Sequence, residues 1–246
     1  MENLKGKIAL VTGGNSGIGY ATAYELKAQG AAVIITGRRQ EAVNAAAAQL
    51  GVTGLVADQG KLEDIERLAT EIKTSYGKLD ILFINAGVLG GASIESATED
   101  VFDYVMNVNF KGAYFTLSRF IPLLNDGASV VFLSSNTASM NVENSSIYSS
   151  GKAALNAVMK IAAVELAPRK IRVNAVSPGP TETEILNKAG YSEEELLGVK
   201  AWILDNVPLR KMGKASDVGK MVAHLSGEGS SFITGAEFIM DGGMNL

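Results

Sequence analysis

Ile8-Ala9-Leu10-Val11-Thr12-Gly13-Gly14-Asn15-Ser16-Gly17-Ile18-Gly19 is the stretch whose reading decides the fold. Its four apolar residues read as a buried strand, and the glycine-rich turn behind them opens into a helical pattern from Gly17 to about Gln29. Strand, glycine turn and helix in that order are the setting of a dinucleotide site. Glycine lets the backbone turn tightly and approach a pyrophosphate. The helix N-terminus adds unpaired N–H groups and the positive end of its dipole. The spacing is Gly-x-x-x-Gly-x-Gly, so the more familiar Gly-x-Gly-x-x-Gly fingerprint is not met literally, and a turn without a ligand stays open. On the binding reading, Gly13, Asn15, Ser16, Gly17, Ile18 and Gly19 line the cofactor.

The same alternation continues outward. Strand patterns follow at about Ala32 to Thr36, Thr53 to Val56, Ile81 to Ile84, Ser129 to Ser134, Arg172 to Val176 and Glu237 to Met240. Between them lie helical patterns at about Glu41 to Leu50, Lys61 to Tyr76, Glu99 to Val108, Lys111 to Leu124, Ile147 to Ala167, and Asp217 to Leu225 with Ser216 as its cap. Repeated βα units imply an α/β, Rossmann-like, doubly wound fold: a mostly parallel seven-stranded sheet with helices on both faces. The right-handed crossover rule places the ligand crevice at the carboxyl ends of the strands. No Ser/Pro linker divides the 246 residues, so residues 1–246 read as one dinucleotide-binding and catalytic domain.

Composition removes several alternatives. The chain has no cysteine, which excludes disulfides and thiolate metal sites and fits a reducing compartment. The start, Met1-Glu2-Asn3-Leu4-Lys5-Gly6-Lys7, lacks the apolar stretch of a signal peptide. No apolar run approaches the ~20 residues that span a bilayer. The expectation is a cytoplasmic protein off the membrane. A net charge of -4 and the absence of a lysine or arginine cluster argue against a nucleic-acid partner. A metal or proton-relay role for the single His224 would need partners that the sequence does not mark, so it reads as structural and no metal is expected.

The end of the second strand bears on which cofactor binds. An acid there would bond the adenosine ribose and repel a 2′-phosphate. Thr36-Gly37-Arg38-Arg39 stands there instead. Arg38 or Arg39 could pair with a phosphate through the planar guanidinium, which favours NADPH. Two solvated loop arginines are the other reading, and NADH stays open because Asn15 and Ser16 add no basic group. Asp58, past the third strand, either accepts from the adenine amino group or caps the next helix.

Ile147-Tyr148-Ser149-Ser150-Gly151-Lys152 carries the chemistry. Of seven tyrosines only Tyr148 has a lysine four positions on, so phenol and ammonium share one helix face. A nearby cation favours the phenolate and is expected to lower the phenol from its usual pKa of about 10. A tyrosine tuned in this way serves as a general acid or base. Ser135 ends the apolar run Val130-Val131-Phe132-Leu133, and a loop folding back brings its hydroxyl to the same place.

Together these residues resemble the short-chain dehydrogenase/reductase family, in its form of about one-domain length. The resemblance covers nearly the whole chain. It rests on Thr12-Gly13-x-x-x-Gly17-x-Gly19, Asn85-Ala86-Gly87, Val108-Asn109, Ser135, Tyr148-x-x-x-Lys152 and Pro178-Gly179, six motifs in family order. It implies Tyr148 as the acid that protonates a carbonyl oxygen while hydride arrives from the nicotinamide. It further implies Ser135 as the hydroxyl that orients that oxygen, and Lys152 as the group that holds the nicotinamide ribose and tunes Tyr148. Asn109 resembles the residue that positions a relay water, although a polar residue satisfying a helix kink reads equally well. Asn85, Ala86 and Gly87 resemble the segment beside the adenosine ribose. Pro178, Gly179, Thr181 and Thr183 resemble the loop that holds the carboxamide. Hydride transfer belongs to the cofactor, and the protein supplies position and electrostatics.

Residues 184–209 follow that loop and contain Ile185, Leu186, Leu196, Leu197, Val199, Trp202, Ile203 and Leu204. They read as an apolar lid that keeps water from the hydride step, or as an interface. Glu182, Glu184 and Glu193-Glu194-Glu195 argue against a strongly anionic substrate. The expected substrate is a small or medium, largely apolar ketone, or its secondary alcohol. A 3-oxoacyl-carrier-protein reductase shares every motif named. A dinucleotide-sensing regulator is the reading from another class, and it would be expected to lack the tyrosine or lysine. The helix after Tyr148 is apolar on more than one face, and the family resemblance implies a homotetramer built on such helices.

Overall fold

The computed structural model describes residues 4–183 and 193–246. In chain order the sheet strands are β1 (Ile8–Val11), β2 (Ala32–Gly37), β3 (Thr53–Val56), β4 (Leu79–Ile84), β5 (Leu124–Leu133), β6 (Arg172–Pro178) and β9 (Glu237–Met240). They form one sheet in the order β3-β2-β1-β4-β5-β6-β9, every pair parallel. A two-stranded ladder of β7 (Thr181–Glu182) and β8 (Gly213–Lys214) stands apart from it. The helices are α1 (Gly17–Ala28), α2 (Gln40–Leu50), α3 (Leu62–Tyr76), α4 (Glu99–Met106), α5 (Ala113–Phe120), α6 (Ser146–Leu166), α7 (Glu193–Asn206) and α8 (Ala215–Ser226). The doubly wound parallel sheet anticipated from the alternation is the one observed.

Alternate strand residues feed two cores, as the two-residue period of a strand requires. Leu10, Ile34, Leu82, Val130 and Val173 pack with Ile65, Leu68 and Ile72 of α3, Phe120 of α5, and Leu155 and Met159 of α6. Val11, Ile35, Phe83 and Val131 point the other way, onto Ala23 and Leu26 of α1, Ala47 and Leu50 of α2, and Val222 and Leu225 of α8. Burial on both faces explains why these strands read as continuous Val/Ile/Leu runs rather than alternating ones. Burying each such side chain stabilises the fold by roughly 1.5–3 kcal/mol before the entropy cost of ordering the chain.

β1 is flanked by β2 and β4, and the chain leaves it in opposite directions to reach them. That is the topological switch where an open α/β sheet leaves a crevice at its carboxyl edge. The crevice is pinned by Thr12, whose Oγ1 accepts from the backbone N–H of Asn85 at 2.9 Å and of Ala86 at 3.0 Å.

Three local expectations change. The two helices expected across residues 99–124 are α4 and α5 joined by a π-helical turn, Asn107–Gly112. A side chain at Gly112 would lie 2.0 Å from the Gln59 carbonyl, so the backbone must pass close there. β5 begins five residues before Ser129, because Leu124 already pairs with Leu79 across an irregularity in the register. α8 begins after Lys214 rather than at Ser216: Asp217 reaches back and its Oδ2 accepts from the Lys214 N–H at 3.1 Å. A carboxylate is the stronger acceptor at a helix start, and pairing with β7 already holds Lys214 extended. Among the described residues no helix is long and apolar enough to cross a membrane.

Candidate active site

The glycine turn is built for close backbone approach. Gly13 and Gly17 adopt φ of +64° and +55°, the left-handed region that favours glycine. A Cβ at Gly19 would lie 2.3 Å from the Gly13 carbonyl oxygen, and one at Gly14 2.6 Å from Ile35 Cγ2. Gly14 N–H donates to Thr36 O at 2.9 Å and ties the turn to β2. Ser16 is the N-cap of α1 in extended backbone, and its side chain makes no capping bond, so it leaves the first N–H groups of α1 to another acceptor. Asn15 lies against Gly37, while Ile18 packs on the core beside α8. A glycine cradle ahead of a helix start that its own cap residue leaves unbonded fits a pyrophosphate.

Around the turn sit the other residues that could hold a dinucleotide. Arg38 and Arg39 are exposed at the carboxyl end of β2, and neither forms an ion pair with another described residue. Asp58 does not cap α3, whose cap residue is Lys61. Its Oδ1 accepts from Gly60 N–H at 2.9 Å, and its own N–H donates to Asp64 Oδ2 at 2.8 Å. Asn85 Nδ2 donates to the Thr12 and Gly13 carbonyls at 2.8 and 3.2 Å, and Ala86 and Gly87 follow it into the crevice. Asn109 lies in the π-helical turn, almost fully buried. Its Oδ1 accepts from Val88 N–H and its Nδ2 donates to Val88 O, both at 2.8 Å. One donor and one acceptor position of its amide are therefore tied to Val88, in the loop that follows Asn85, Ala86 and Gly87.

Ser135, Tyr148 and Lys152 converge beyond β5. Ser135 caps the short turn Asn136–Ala138, and its hydroxyl acts on the Tyr148 phenol to lower its pKa. Lys152, buried on α6, donates from Nζ to the Leu133 carbonyl at 2.7 Å and lies 5.7 Å from the centre of the Tyr148 ring. Here the sequence expectation is corrected. Desolvation pushes the Tyr148 phenol above its usual 10.0, and the Ser135 hydrogen bond offsets only part of that rise. Tyr148 keeps some of its surface exposed, but the packing around it is dense enough for desolvation to dominate. The ammonium lies toward the ring and gives one of its three N–H donors to a carbonyl. Its own burial lowers it from 10.5 to about 8.

The fourth wall is the segment after β6. Pro178 pairs with Met240, and Gly179 N–H donates to Met240 O at 3.0 Å. A Cβ at Gly179 would lie 2.5 Å from Asp241 Cβ. Thr181 Oγ1 donates to Gly179 O at 3.0 Å, and the Thr183 side chain comes nearest to the Cβ position of Gly17, at 3.5 Å. The loop therefore faces the glycine turn across the crevice. Glu184, Ile185 and Leu186 lie outside the described residues, as do the side chains of Glu193, Glu194, Glu195 and Leu196. In the rest of the expected lid, Ile203 and Val207 are buried, while Leu197, Trp202 and Leu204 are exposed.

Two residues here escaped the sequence reading. Gln59 is buried, and its Nε2 donates to Ala86 O at 2.9 Å and Val108 O at 3.1 Å, joining the crevice loop to the π-helical turn. Thr137 bonds Ser135 through both its N–H and its hydroxyl. Neither has a spacing that marks it.

A family model described as enoyl-(acyl carrier protein) reductase matches residues 13–245. The chain is 36% identical over 251 residues to oxidoreductase asL5 of Sarocladium schorii, covering 99% of this chain and 98% of that one. It is 36% identical over 250 residues to dehydrogenase/reductase SDR family member 4 of Homo sapiens, covering 98% and 88%. A short-chain dehydrogenase of Burkholderia cenocepacia J2315, solved in complex with NADP, superimposes with a TM-score of 0.90 at 32% identity, over 99% of this chain and 100% of that one. With the strand order, the glycine turn and the Ser135–Tyr148–Lys152 cluster, these likenesses have one reading: the chain belongs to the short-chain dehydrogenase/reductase family of oxidoreductases.

Proposed function

We propose that this protein is an NADPH-dependent carbonyl reductase that converts a largely apolar ketone to its secondary alcohol, and that residues 1–246 act as one catalytic domain. The observation that carries the reading is the meeting of Ser135, Tyr148 and Lys152 at the carboxyl edge of the sheet, with Lys152 Nζ 5.7 Å from the phenol ring and the Ser135 hydroxyl lowering the pKa of the phenol. When bound, the nicotinamide supplies the hydride. The chain holds and orients. Gly13, Asn15, Ser16, Gly17, Ile18 and Gly19 receive the pyrophosphate at the start of α1. Asp58, Asn85, Ala86 and Gly87 border the adenosine, and Pro178, Gly179, Thr181 and Thr183 border the carboxamide. Ser135 donates to the substrate oxygen, and Tyr148 gives that oxygen a proton as its charge develops. A phenol raised by burial keeps its proton near neutral pH, which suits the acid of a reduction. Lys152 holds the ribose, and Asn109 fixes the 85–88 loop through Val88.

Arg38 and Arg39 support NADPH, since exposed guanidinium groups at this edge of the crevice match a 2′-phosphate. A charge-assisted hydrogen bond contributes ~1.5–3 kcal/mol. Arg38→Ala is therefore expected to lower the NADPH-over-NADH ratio of kcat/KM about 10- to 100-fold. An unchanged ratio in Arg38→Ala and in Arg39→Ala would remove the assignment.

Absorbance of NADPH with a panel of neutral ketones, anionic ketones and carrier-bound oxoacyl groups tests the substrate class. Neutral apolar ketones are expected to give the highest kcat/KM. A carrier-bound winner would move the protein to fatty-acyl chemistry. The outward face of α6 leaves Ile161 and Val164 58% and 76% exposed, which supports a second copy of the chain packed there. A monomer in light scattering at micromolar concentration would contradict that.

A further inference from the structure

Ser135 has one proton and two lone pairs to place. Thr137 takes up both lone pairs: its N–H donates to Ser135 Oγ at 3.2 Å and its Oγ1 donates to the same atom at 3.0 Å. A serine that already accepts twice has only donation left. The turn that makes this possible is itself braced. Ala138 N–H donates to Ser135 O at 3.1 Å, and Ser139 Oγ donates to Asn136 O at 3.2 Å. Asn245, next to the last residue, donates from Nδ2 to Ser139 Oγ at 2.8 Å.

We infer that Thr137 is a positioning residue for the reduction, whose hydroxyl fixes Ser135 as a donor aimed at the substrate oxygen. The inference rests on the proposed role of Ser135 and extends it to a residue two positions on. The N–H bond alone is an ordinary capping contact and leaves one lone pair open. With that lone pair open, the Ser135 hydroxyl can turn its proton away from the crevice. The Thr137 hydroxyl closes that alternative. The partner on the far side is consistent: the Ser135 hydrogen bond lowers the Tyr148 phenol, which is the direction of donation to the phenol oxygen.

Thr137→Val keeps shape and N–H but removes the second donor, and Thr137→Ser keeps the hydroxyl. Loss of one net hydrogen bond worth ~1.4 kcal/mol corresponds to about tenfold. The expected result is a roughly tenfold fall in kcat/KM for ketone reduction in Thr137→Val with Tm lowered by no more than a few degrees, recovery in Thr137→Ser, and unchanged NADPH Kd in both. On a Ser135→Ala background, Thr137→Val should add nothing, because its effect passes through Ser135. An equal loss on that background, or no recovery by serine, overturns the inference and leaves the function reading standing. A gain in Thr137→Val overturns it too, since the hydroxyl would then have been trapping the Ser135 proton. Full activity in Ser135→Ala removes the function reading and this inference together.

Discussion

Tyr148→Phe is expected to lower kcat/KM for ketone reduction by about 10²–10⁴-fold, the range for removing a general acid. NADPH affinity and Tm should stay near those of the parent. The substitution deletes one oxygen from a side chain that packs through its ring, so little else changes. The lost atom is the one whose pKa the Ser135 hydroxyl lowers and the one proposed to protonate the substrate oxygen. An alkoxide left without its proton donor has only Ser135 to stabilise it, and the barrier rises accordingly. Burial holds the parent phenol above 10, so Tyr148 itself stays protonated across the neutral range and sets no limb there. The alkaline fall of kcat/KM in the parent is expected near pH 8, where Lys152 loses its charge. Phenylalanine at 148 that leaves the rate intact would strike Tyr148 from the reaction.

Lys152→Met should abolish most activity and, without cofactor, make the protein more stable. The ammonium is buried with a carbonyl as its partner and no carboxylate among the contacts described. Burial lowers its pKa from 10.5 to about 8, which costs on the order of 3 kcal/mol while the group is charged in both folded and unfolded states. Methionine fills a similar volume without that cost, though it gives up the bond to Leu133 O. The sign of the pH dependence follows. Below pH 8 both states of the parent hold the proton and the full penalty applies. Between about 8 and 10.5 the unfolded state binds more protons than the folded one, so parent stability rises with pH. The advantage of the variant is therefore largest below pH 8 and shrinks as pH climbs toward 10. Chemical denaturation from pH 6 to pH 9.5 reads this below the range where Tyr148 enters. A variant less stable than the parent at pH 7 would show that the Leu133 bond outweighs the buried charge. A stabilised but inactive enzyme is the signature of a group kept for chemistry rather than for folding.

Much of this molecule is legible along the chain because it rests on local periodicity. The buried strands read as apolar runs, the turn from Gly13 to Gly19 announces itself, and Tyr148 and Lys152 meet through helix spacing alone. What the sequence hides is tertiary. The direction of the Tyr148 shift reversed because desolvation depends on what packs around a residue, and no spacing encodes that. Asn109 could be placed in the site but not given its partner, since Val88 lies 21 positions away in the chain. Gln59 reaches Val108 across 49 positions, and no pattern links them. Thr137 lies two residues from Ser135, yet its role needs the short helical turn that brings both of its donors onto one oxygen. The cap of α8 fell to Lys214, with Asp217 bonded back to it, rather than to Ser216, because pairing between β7 and β8 fixed the entry to that helix.

A crystal structure of the protein with NADP and an unreactive ketone analogue tests the central claim most directly. The analogue's carbonyl oxygen is expected within about 2.6–3.2 Å of both the Tyr148 and Ser135 hydroxyls, with its carbon facing the nicotinamide ring. An oxygen held by other groups, with the Tyr148 hydroxyl turned out of the crevice, would contradict it.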